Sequence, residues 1–348
     1  MLHLSVPSQD TQKILRLLKA ENALPEGARV QSDPMDESRR IIPFVGVISQ
    51  ELLTQYTVVD VDAKPTPTRT YKDHLSSLLS DQIVESTEWP TRHEFVGDLI
   101  LIKLDDHQRK YGLEIGTALL TQHTRTRAVF EDRGVKGQFR VRDLELLAVR
   151  EGHDSTTRTT IIEGGHRLVT DPSKVYFSTR LSHEREGTIE CATALRETVG
   201  RPLAICDPYA GVGPSILPLI SIPELVGELF VADLNPSAIE MLRENIDFSA
   251  AVIECTDARL LKDRPEMCGK FDLLLVNIPH DSLNHLESLM PLVRGDGVVR
   301  GWAVIEDDDF ESAEKHLAKI FGNAYTIEIR RSYSATANLC RFEGQKPL

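Results

Sequence analysis

The spacing of apolar residues at the start of the chain predicts a helix followed by a strand. Apolar positions within residues 10–22 recur on one helix face, and the run IIPFVGVI at 41–48 is typical of a strand. Proline and threonine then crowd residues 57–73, a composition typical of a linker. We therefore expect a small α/β domain over residues 1–65.

In the middle of the chain, short helix-like and strand-like patterns alternate. They predict a second, α+β domain over residues 70–165. We expect helices over 72–80 and 106–119 and a strand over 98–103, with Asp105 and Asp106 as helix caps. Further strands are predicted at RAVFE, GQFRV, LELLAV and KVYFS, and a hairpin at TTIIEGGHRLVTD with two glycines at its turn.

From about residue 182, strands and helices alternate regularly, which predicts a parallel, doubly wound sheet in a domain over 170–348. The predicted strands are PLAICD, ELFVAD, AVIEC, FDLLLVN and GVVRGWAVI, and the predicted helices include 183–197, PSAIEMLRENI, 281–290 and 308–320. The last two strands, YTIEIRR and ANLCRF, are separated by a short turn and are expected to form an antiparallel hairpin at the sheet edge.

Composition narrows the class of protein. Of 348 residues, 41% are apolar and 27% charged, which is typical of a soluble globular chain, and no apolar run approaches the length of a membrane span. The first residues lack a signal-peptide pattern. Five dispersed cysteines without a CxxC pair indicate neither a disulfide framework nor a zinc ribbon. We therefore expect a cytoplasmic protein without membrane or metal binding.

Charge is unevenly distributed along the chain. The net charge is −13, and residues 166–348 alone carry 19 basic against 28 acidic residues. Residues 121–150 reverse the sign, with seven basic residues against four acidic ones. This basic strip is either a solvated, salt-bridged face, which is the commoner outcome, or a contact surface for nucleic acid.

The sequence Asp207-Pro-Tyr-Ala-Gly-Val-Gly-Pro214 follows a predicted strand and precedes a helix. Glycine lets the backbone turn sharply and lets a ligand approach closely. The pattern is neither GxGxxG nor GxxxxGK[ST], which argues against a dinucleotide fold and a P-loop. Taken alone, it fits a cofactor loop and a tight structural turn equally well.

Polar residues follow the next three predicted strands, at Asp233, Asp257 and Asn277. Ligands of parallel sheets bind at the carboxyl ends of strands. A carboxylate at Asp233 suits the two hydroxyls of a ribose, and Asp257 could accept from an adenine amino group. The alternative for both acids is helix capping or loop solvation. Together with the glycine turn, the arrangement resembles class I S-adenosylmethionine-dependent methyltransferases.

Several motifs in order make the resemblance more specific. The segments EFVGDLILIKL, VKGQFRVRDLELLA, KVYFSTRLSHERE, DPYAGVGP, VADLNPSAIEMLRENI, TDAR and VNIP resemble the tRNA (guanine37-N1)-methyltransferase family of archaea and eukaryotes over most of residues 70–300. The resemblance implies a C-terminal Rossmann-like methyltransferase domain with a mostly parallel seven-stranded sheet, preceded by two smaller α+β domains. It also implies S-adenosyl-L-methionine as cofactor, tRNA as partner and a monomer.

The resemblance also implies roles for individual residues. Arg140 matches the catalytic arginine and Glu184 the general base, while Asn277 and Pro279 match the NxP element of the guanine pocket. The cofactor positions are Asp207, Tyr209, Gly211, Gly213, Asp233, Leu234, Asp257, Ala258 and Asn277. The substrate-binding positions are Lys136, Arg140, Tyr176 and Arg180.

Alternatives to these roles stay open at this point. Arg140 could pair with Asp143 or Glu145 on a strand, and the segment NIPHDSLNHL departs from the apolar pattern usual after NxP. Other activities also fit. They are aminocarboxypropyl or methyl transfer in the wyosine pathway, methyl transfer to a non-tRNA acceptor, and RNA binding without catalysis.

Overall fold

The computed structural model describes residues 2–25, 30–33, 36–60, 70–177 and 181–347. The chain divides into two compact units, Met1–Arg69 and Thr70–Leu348, and each is considered separately. No helix of the described residues is both long and apolar enough to cross a membrane.

The first unit is a four-stranded antiparallel sheet covered by one amphipathic helix. Its elements are β1 (Leu2–Pro7), α1 (Thr11–Ala20), β2 (Gln31–Asp33), β3 (Asp36–Pro43), α2 (Gln50–Gln55) and β4 (Thr57–Asp60), with the strand order β2-β3-β1-β4. Ile14 and Leu18 of α1 are buried against Leu4 and Ile42 of the sheet. The helix expected over 10–22 is therefore confirmed.

The strand expected over 41–48 is wrong in its second half. Strand β3 begins earlier and ends at Pro43, and Gly46 takes a positive φ of 72° that leaves the extended conformation. The apolar residues beyond Pro43 belong to a loop, in which Phe44 and Ile48 are buried while Val47 is exposed.

The second unit begins with a four-stranded sheet whose one face is covered by helices. The elements are α3 (Tyr71–Leu75), α4 (Asp81–Ser86), β5 (His93–Val96), β6 (Leu99–Ile102), α5 (Asp106–Arg109), α6 (Gly112–Gln122), β7 (Ala128–Lys136) and β8 (Val141–Val149). The strand order is β5-β6-β7-β8. Gly116 of α6 lies where a Cβ would meet Ala148 at 2.8 Å, so this helix packs very closely on β8.

Two predictions for this region are wrong in detail. The helix expected over 106–119 is two helices, α5 and α6. The three strands expected at RAVFE, GQFRV and LELLAV are two long strands, because positive φ at Gly137 (68°) and Arg140 (51°) turns the chain between β7 and β8. Arg140 therefore lies in a turn and not on a strand.

A hairpin and a buried segment connect this sheet to the rest of the unit. Strands β9 (Thr159–Glu163) and β10 (His166–Thr170) pair antiparallel around the two glycines, as predicted. The strand expected at KVYFS is wrong, since its described residues 174–177 lie in no strand. Val175 and Phe177 are instead buried in a core shared with Phe130 of β7 and Met241.

The remainder is a seven-stranded sheet between two layers of helices. Its elements are α7 (Ser182–Val199), β11 (Leu203–Asp207), α8 (Ile216–Ile220), β12 (Val226–Asp233), α9 (Pro236–Asn245), β13 (Ala251–Cys255), β14 (Phe271–Val276), α10 (Ser282–Leu289), β15 (Val293–Glu306), α11 (Phe310–Phe321), β16 (Tyr325–Ser332) and β17 (Ala337–Gln345). The strand order is β13-β12-β11-β14-β15-β17-β16.

The sheet is parallel from β13 to β15, and β17 runs antiparallel to both of its neighbours. The α/β class expected for this region is confirmed, as is the antiparallel pairing of the last two strands. The strand order reverses between β11 and β14. Ligands of open α/β sheets bind at such a switch point, outside the carboxyl ends of the strands.

Candidate active site at the carboxyl edge of the large sheet

Two carboxylates, one buried and one half-buried, lie at the ends of adjacent strands. Asp207 ends β11 and is 1% exposed, and its Oδ1 accepts a hydrogen bond from the backbone N–H of Tyr209 at 3.1 Å. Asp233 ends β12 and accepts from the backbone N–H groups of Gly211 (2.9 Å) and Asn235 (2.8 Å). Because each carboxylate oxygen has two lone pairs, both oxygens of Asp233 can accept a second donor.

Burial makes both carboxylates costly to ionise. Burial raises the pKa of Asp207 to about 7, and the neighbouring charge of Asp233 adds to the effect. Burial also raises the pKa of Asp233, while its backbone hydrogen bonds oppose the shift. This edge of the sheet therefore favours a ligand that brings hydroxyl donors or positive charge.

The glycine turn between β11 and α8 combines tight packing with an open side. Gly213 has φ 89°, and a Cβ there would lie 2.8 Å from Cδ1 of Leu242. Gly211 has φ 55° with no atom within 4 Å of a Cβ position, so its backbone is approachable. Gly213 thus fits the interpretation as a tight structural turn, and Gly211 fits the interpretation as a ligand-binding loop.

The other predicted cofactor positions differ in how accessible they are. Leu234 is half exposed, whereas Ala258 is buried. Asp257 caps the helical turn that follows and is paired with the guanidinium of Arg259 at 2.6 Å, which lowers the pKa of Asp257. Tyr209 is fixed by a 2.7 Å hydrogen bond between its hydroxyl and Nδ1 of His285.

The Asn277-Ile-Pro279 segment is held between β14 and α10. The carbonyl of Pro279 accepts from the backbone N–H of Val304 at 2.7 Å. Val276, the residue before Asn277, pairs in parallel with Gly301, the residue before Trp302. The segment is therefore anchored by main-chain contacts, which leaves the half-buried Asn277 side chain available to a ligand.

Arg140 reaches this segment from the turn between β7 and β8. Its Nη2 lies 3.5 Å from the hydroxyl of Tyr333, which follows β16, and the same hydroxyl lies 3.1 Å from Nε2 of His280. Burial and the charge of Arg140 lower the pKa of His280, which favours a neutral ring. The Arg140 guanidinium thus stands beside the residue that follows Pro279.

The alternative for Arg140 was an ion pair with Asp143 or Glu145. Neither pair forms, because Asp143 binds Lys136 at 2.5 Å and Glu145 binds Arg133 at 3.4 Å. Lys136, a predicted substrate-binding residue, is therefore an exposed side chain engaged in a salt bridge.

Glu184 lies in the first turn of α7 and is nearly buried. Its Oε1 accepts from Nε of Arg330 at 2.7 Å, and its Oε2 accepts from Nε1 of Trp302 at 3.0 Å. Burial opposes ionisation, but the bonds from these two residues and the charge of Arg341 outweigh it, so the pKa of Glu184 is lowered. The carboxylate is ionised and held at both oxygens.

The predicted catalytic residues approach the NxP segment from two sides. Glu184 is linked to it through Trp302, and Arg140 is linked to it through Tyr333 and His280. Of the other predicted substrate-binding residues, Tyr176 is exposed, and Arg180 lies outside the described residues.

Most of the basic strip is salt-bridged or bonded to main-chain carbonyls. Arg127 is buried against Asp98 and Asp154, and Arg142 is paired with Glu94 and Asp132. Arg150 donates to three main-chain carbonyls. Among the described contacts of residues 121–150, Arg125 and Arg140 are the basic side chains with neither an acidic partner nor a main-chain carbonyl partner.

Sequence reasoning missed four residues that surround the predicted ones, namely His280, Trp302, Arg330 and Tyr333. His280 belongs to the segment NIPHDSLNHL, which departs from the family pattern, but the sequence indicates no role for it. Arg330 and Tyr333 belong to the final hairpin, and no local signal links them to residues 140 or 184. Within the described residues, no group of three or more histidine, cysteine or acidic side chains is arranged to hold a metal ion.

The order of the large sheet, its switch point, the glycine turn and the acidic strand ends define a class I methyltransferase fold. A family profile described as the TRM5/TYW2 methyltransferase domain matches residues 159–328, and one described as the TYW2 N-terminal domain matches residues 71–155. Together they cover more than two thirds of the chain. Residues 159–328 therefore form a TRM5/TYW2 methyltransferase domain.

Individual relatives agree with this assignment. The tRNA (guanine(37)-N(1))-methyltransferase Trm5b of Pyrococcus abyssi is 31% identical over 211 residues, which are 60% of this chain and 59% of that protein. The alignment therefore spans about three fifths of that relative's length.

Solved structures show a similar fold. The complex structure of aTrm5 and tRNALeu has a TM-score of 0.62 at 24% identity and covers 99% of this chain and 100% of that chain. Pyrococcus horikoshii TYW2, solved with MeSAdo, has a TM-score of 0.61 at 19% identity and covers 79% of this chain and 97% of that chain.

Proposed function

We propose that this protein is a tRNA (guanine37-N1)-methyltransferase, which transfers a methyl group from S-adenosyl-L-methionine to N1 of the guanosine 3′ of the anticodon. The observation that carries the proposal is the pair of contacts linking Arg140 through Tyr333 to His280, beside Pro279. This arrangement sets a cation from one sheet next to the NxP segment of another. The curated relative named for this activity supports the same reaction.

The carboxyl edge of the sheet fits S-adenosyl-L-methionine. Asp233 has lone pairs for the ribose hydroxyls, and the open side of Gly211 lets the ligand lie against the backbone. The positive charge of the ligand would compensate the pair of Asp207 and Asp233. The bound cofactor supplies an electrophilic methyl group on its sulfonium.

Guanine N1 carries a proton at neutral pH and is a poor nucleophile until that proton leaves. Glu184 is ionised and can accept the proton. As N1 loses its proton, negative charge develops on O6, and the Arg140 guanidinium can stabilise it there. Asn277 can orient the base through its side-chain amide, and the rigid Pro279 backbone shapes the pocket. The guanosine must leave the stack of the anticodon loop for these contacts to form.

The three domains would have different roles in binding RNA and the cofactor. Residues 1–65 would contact tRNA away from the anticodon. Residues 70–165 would grip the RNA and supply Arg140, with Lys136, Tyr176 and Arg180 as further RNA contacts. Residues 170–348 would bind the cofactor. Since most of the basic strip is neutralised, we place the RNA contact of the middle domain at Arg125 and Arg140. A cytoplasmic monomer fits this role.

The experiment is methyl transfer from methyl-labelled S-adenosylmethionine to unmodified tRNA transcripts that carry guanosine or adenosine at position 37. We expect incorporation that requires guanosine, with nuclease digestion yielding 1-methylguanosine. Incorporation into both transcripts, or into neither while the cofactor binds, contradicts the proposal.

A second candidate is transfer of the aminocarboxypropyl group from the same cofactor in the wyosine pathway. The match of residues 71–155 to the TYW2 N-terminal domain favours it. Parallel reactions with carboxyl-labelled and methyl-labelled cofactor separate the two activities. Methyl label alone in the RNA supports the first proposal, and carboxyl label alone supports the second. The same assay on tRNA carrying a tricyclic wyosine precursor tests a further methyl acceptor.

A further inference from the structure

The first turn of α7 is held by a row of charged and polar side chains on three neighbouring strands of the large sheet. Glu184 contacts Trp302 of β15, Arg341 of β17 and Arg330 of β16. Trp302 and Arg341 are directly opposite each other in the sheet, and Arg330 lies at a register shift in β16. Since these strands lie side by side, the row offers one carboxylate two hydrogen-bond donors and a second cation.

Arg330 makes the shortest contact with this carboxylate. Its Nε lies 2.7 Å from Oε1 of Glu184, whereas Nη1 of Arg341 lies 3.9 Å from Oε2. Arg330 is itself held by Glu328, which its Nη1 contacts at 3.1 Å, and Glu328 also binds Arg341 at 2.7 Å. The guanidinium of Arg330 is thus fixed between two acids, and it fixes Glu184 in turn.

The remaining charged groups of this region are engaged elsewhere. Arg300 of β15 is buried, ion-paired with Glu343 of β17 and bonded to the hydroxyl of Thr188 at 3.2 Å. On α7 itself, Arg185 binds Glu163 and His183 lies beside Glu186. Arg330 therefore supplies the nearest positive charge to Glu184, and Arg341 supplies a second, more distant one.

We infer that Arg330 is a positioning residue for the methyl transfer, which holds the Glu184 carboxylate ionised and aimed toward the NxP segment. This inference rests on the proposed function of Glu184 as the proton acceptor. Arg330 acts through Glu184 and makes no contact with substrate in this scheme. Trp302 supports it by donating to the second oxygen of Glu184.

The role of Arg330 has a consequence for pH. Without its cation, the nearly buried Glu184 keeps the cost of desolvation but loses its strongest compensating charge, so its pKa rises. A protonated Glu184 cannot accept the N1 proton. The loss of activity is therefore largest at acidic pH and smaller at alkaline pH, where the carboxylate ionises without help.

The test compares Arg330→Gln with Arg331→Gln, a change at the neighbouring exposed residue that takes no part in this network. We measure kcat/KM for tRNA between pH 5 and 8.5, together with cofactor affinity and thermal unfolding. For Arg330→Gln we expect the acidic limb of the profile to shift to higher pH by about one unit. The loss relative to wild type should therefore be greatest at pH 5 and absent at pH 8.5, with unchanged cofactor affinity. Arg331→Gln should follow the wild-type profile.

Arg330→Lys provides a second variant that keeps a cation and guards against an effect on folding alone. It should recover most of the activity at pH 5. Equal profiles for Arg330→Gln and Arg331→Gln, or a loss in Arg330→Gln that is the same at every pH, overturns the inference. Absence of methyl transfer by the wild-type protein would contradict the proposed function instead, so the two failures are distinguishable.

Discussion

The hydroxyl of Tyr333 lies 3.1 Å from Nε2 of His280, and the two rings meet edge-on with their centroids 5.4 Å apart. The same hydroxyl lies within 3.5 Å of Arg140. A single phenol in the final hairpin thus joins the turn between β7 and β8 to the segment after β14. These three elements are distant in sequence, and this contact brings the proposed catalytic arginine to the NxP segment.

Removing that hydroxyl should slow the reaction without weakening cofactor binding. A hydrogen bond of this kind contributes about 1 kcal/mol, so Tyr333→Phe should lower kcat about fivefold. Tyr325→Phe is the matched control, because the Tyr325 hydroxyl makes no hydrogen bond within the described residues. Equal kcat values for the two variants would show that Tyr333 does not hold Arg140 in place. Steady-state kinetics and calorimetric titration with the cofactor measure the two effects.

The two glycines of the turn after β11 should respond differently to alanine. At Gly213 the new Cβ would lie 2.8 Å from Leu242, and φ is 89°, so crowding and backbone strain add. We expect Gly213→Ala to lower the free energy of unfolding by about 2–4 kcal/mol. Gly211→Ala should cost about 1 kcal/mol, because φ is 55° but the space beside it is open.

Gly211→Ala should lose cofactor affinity, although it is the variant that loses less stability. Gly211→Ala places a methyl group on the open side of the loop, so it should weaken cofactor binding at least tenfold while the protein stays folded. Thermal unfolding and equilibrium binding of both variants provide the test. A Gly211→Ala variant with wild-type affinity would mean that the cofactor does not lie against this side of the loop.

The sequence alone predicted the fold best where the local residue pattern and the tertiary structure agree. The alternation of strands and helices after residue 182 predicted the α/β class, because buried parallel strands are continuous apolar runs bounded by polar strand ends. The glycine turn, Asp207 and Asp233 were predicted from the same local pattern, because each follows an apolar strand. Their placement at one edge follows from the parallel order of the strands, and only their roles stay predictions.

Predictions from the sequence were wrong where residues are buried without belonging to a paired strand. The segment KVYFS has strand-like residues, yet Val175 and Phe177 fill a core between two sheets without pairing to any strand. The segment GQFRV contains the turn that carries Arg140, and Gly137 was the available signal for that turn. The partners of Glu184 and Arg140 are more than a hundred residues away along the chain, and no single-sequence pattern can reveal such pairings.

Arg127 should prove structural although it belongs to the basic strip. Its guanidinium is 7% exposed and donates to Asp98 at 2.9 Å, to Asp154 at 2.7 Å and to the carbonyls of Asp154, Thr156 and Arg158. Arg127→Ala would remove the one donor that two acids and three main-chain carbonyls share. We expect the free energy of unfolding to fall by about 3–5 kcal/mol.

Arg125→Ala is the control for this change, because Arg125 is exposed and should alter stability by no more than about 0.5 kcal/mol. It should instead weaken binding to tRNA, as expected for a side chain without an acidic partner. Denaturant unfolding and tRNA binding at fixed salt measure both outcomes. If Arg127→Ala unfolds like the wild type, the network around it contributes little to the fold.

The buried carboxylate of Asp207 should make stability depend on pH. Its pKa is raised from the usual 3.8 to about 7 in the folded protein, so the folded state binds one more proton than the unfolded state between these values. The free energy of unfolding therefore falls as pH rises through this window. Asp207→Asn removes this dependence and retains an oxygen that can accept from the backbone N–H of Tyr209.

Between pH 5 and 7, the stability of Asp207→Asn relative to wild type should increase by about 2 kcal/mol, since each pKa unit corresponds to about 1.4 kcal/mol. Asp263→Asn, at an exposed carboxylate, should track the wild type at each pH. Saturating S-adenosylmethionine should reduce the advantage of Asp207→Asn, because the positive charge of the ligand stabilises the ionised carboxylate. Denaturant unfolding at both pH values, with and without the cofactor, measures these differences. A constant offset between Asp207→Asn and wild type would show that Asp207 is already ionised at pH 5, and the pair of strand-end acids would then need no compensating cation.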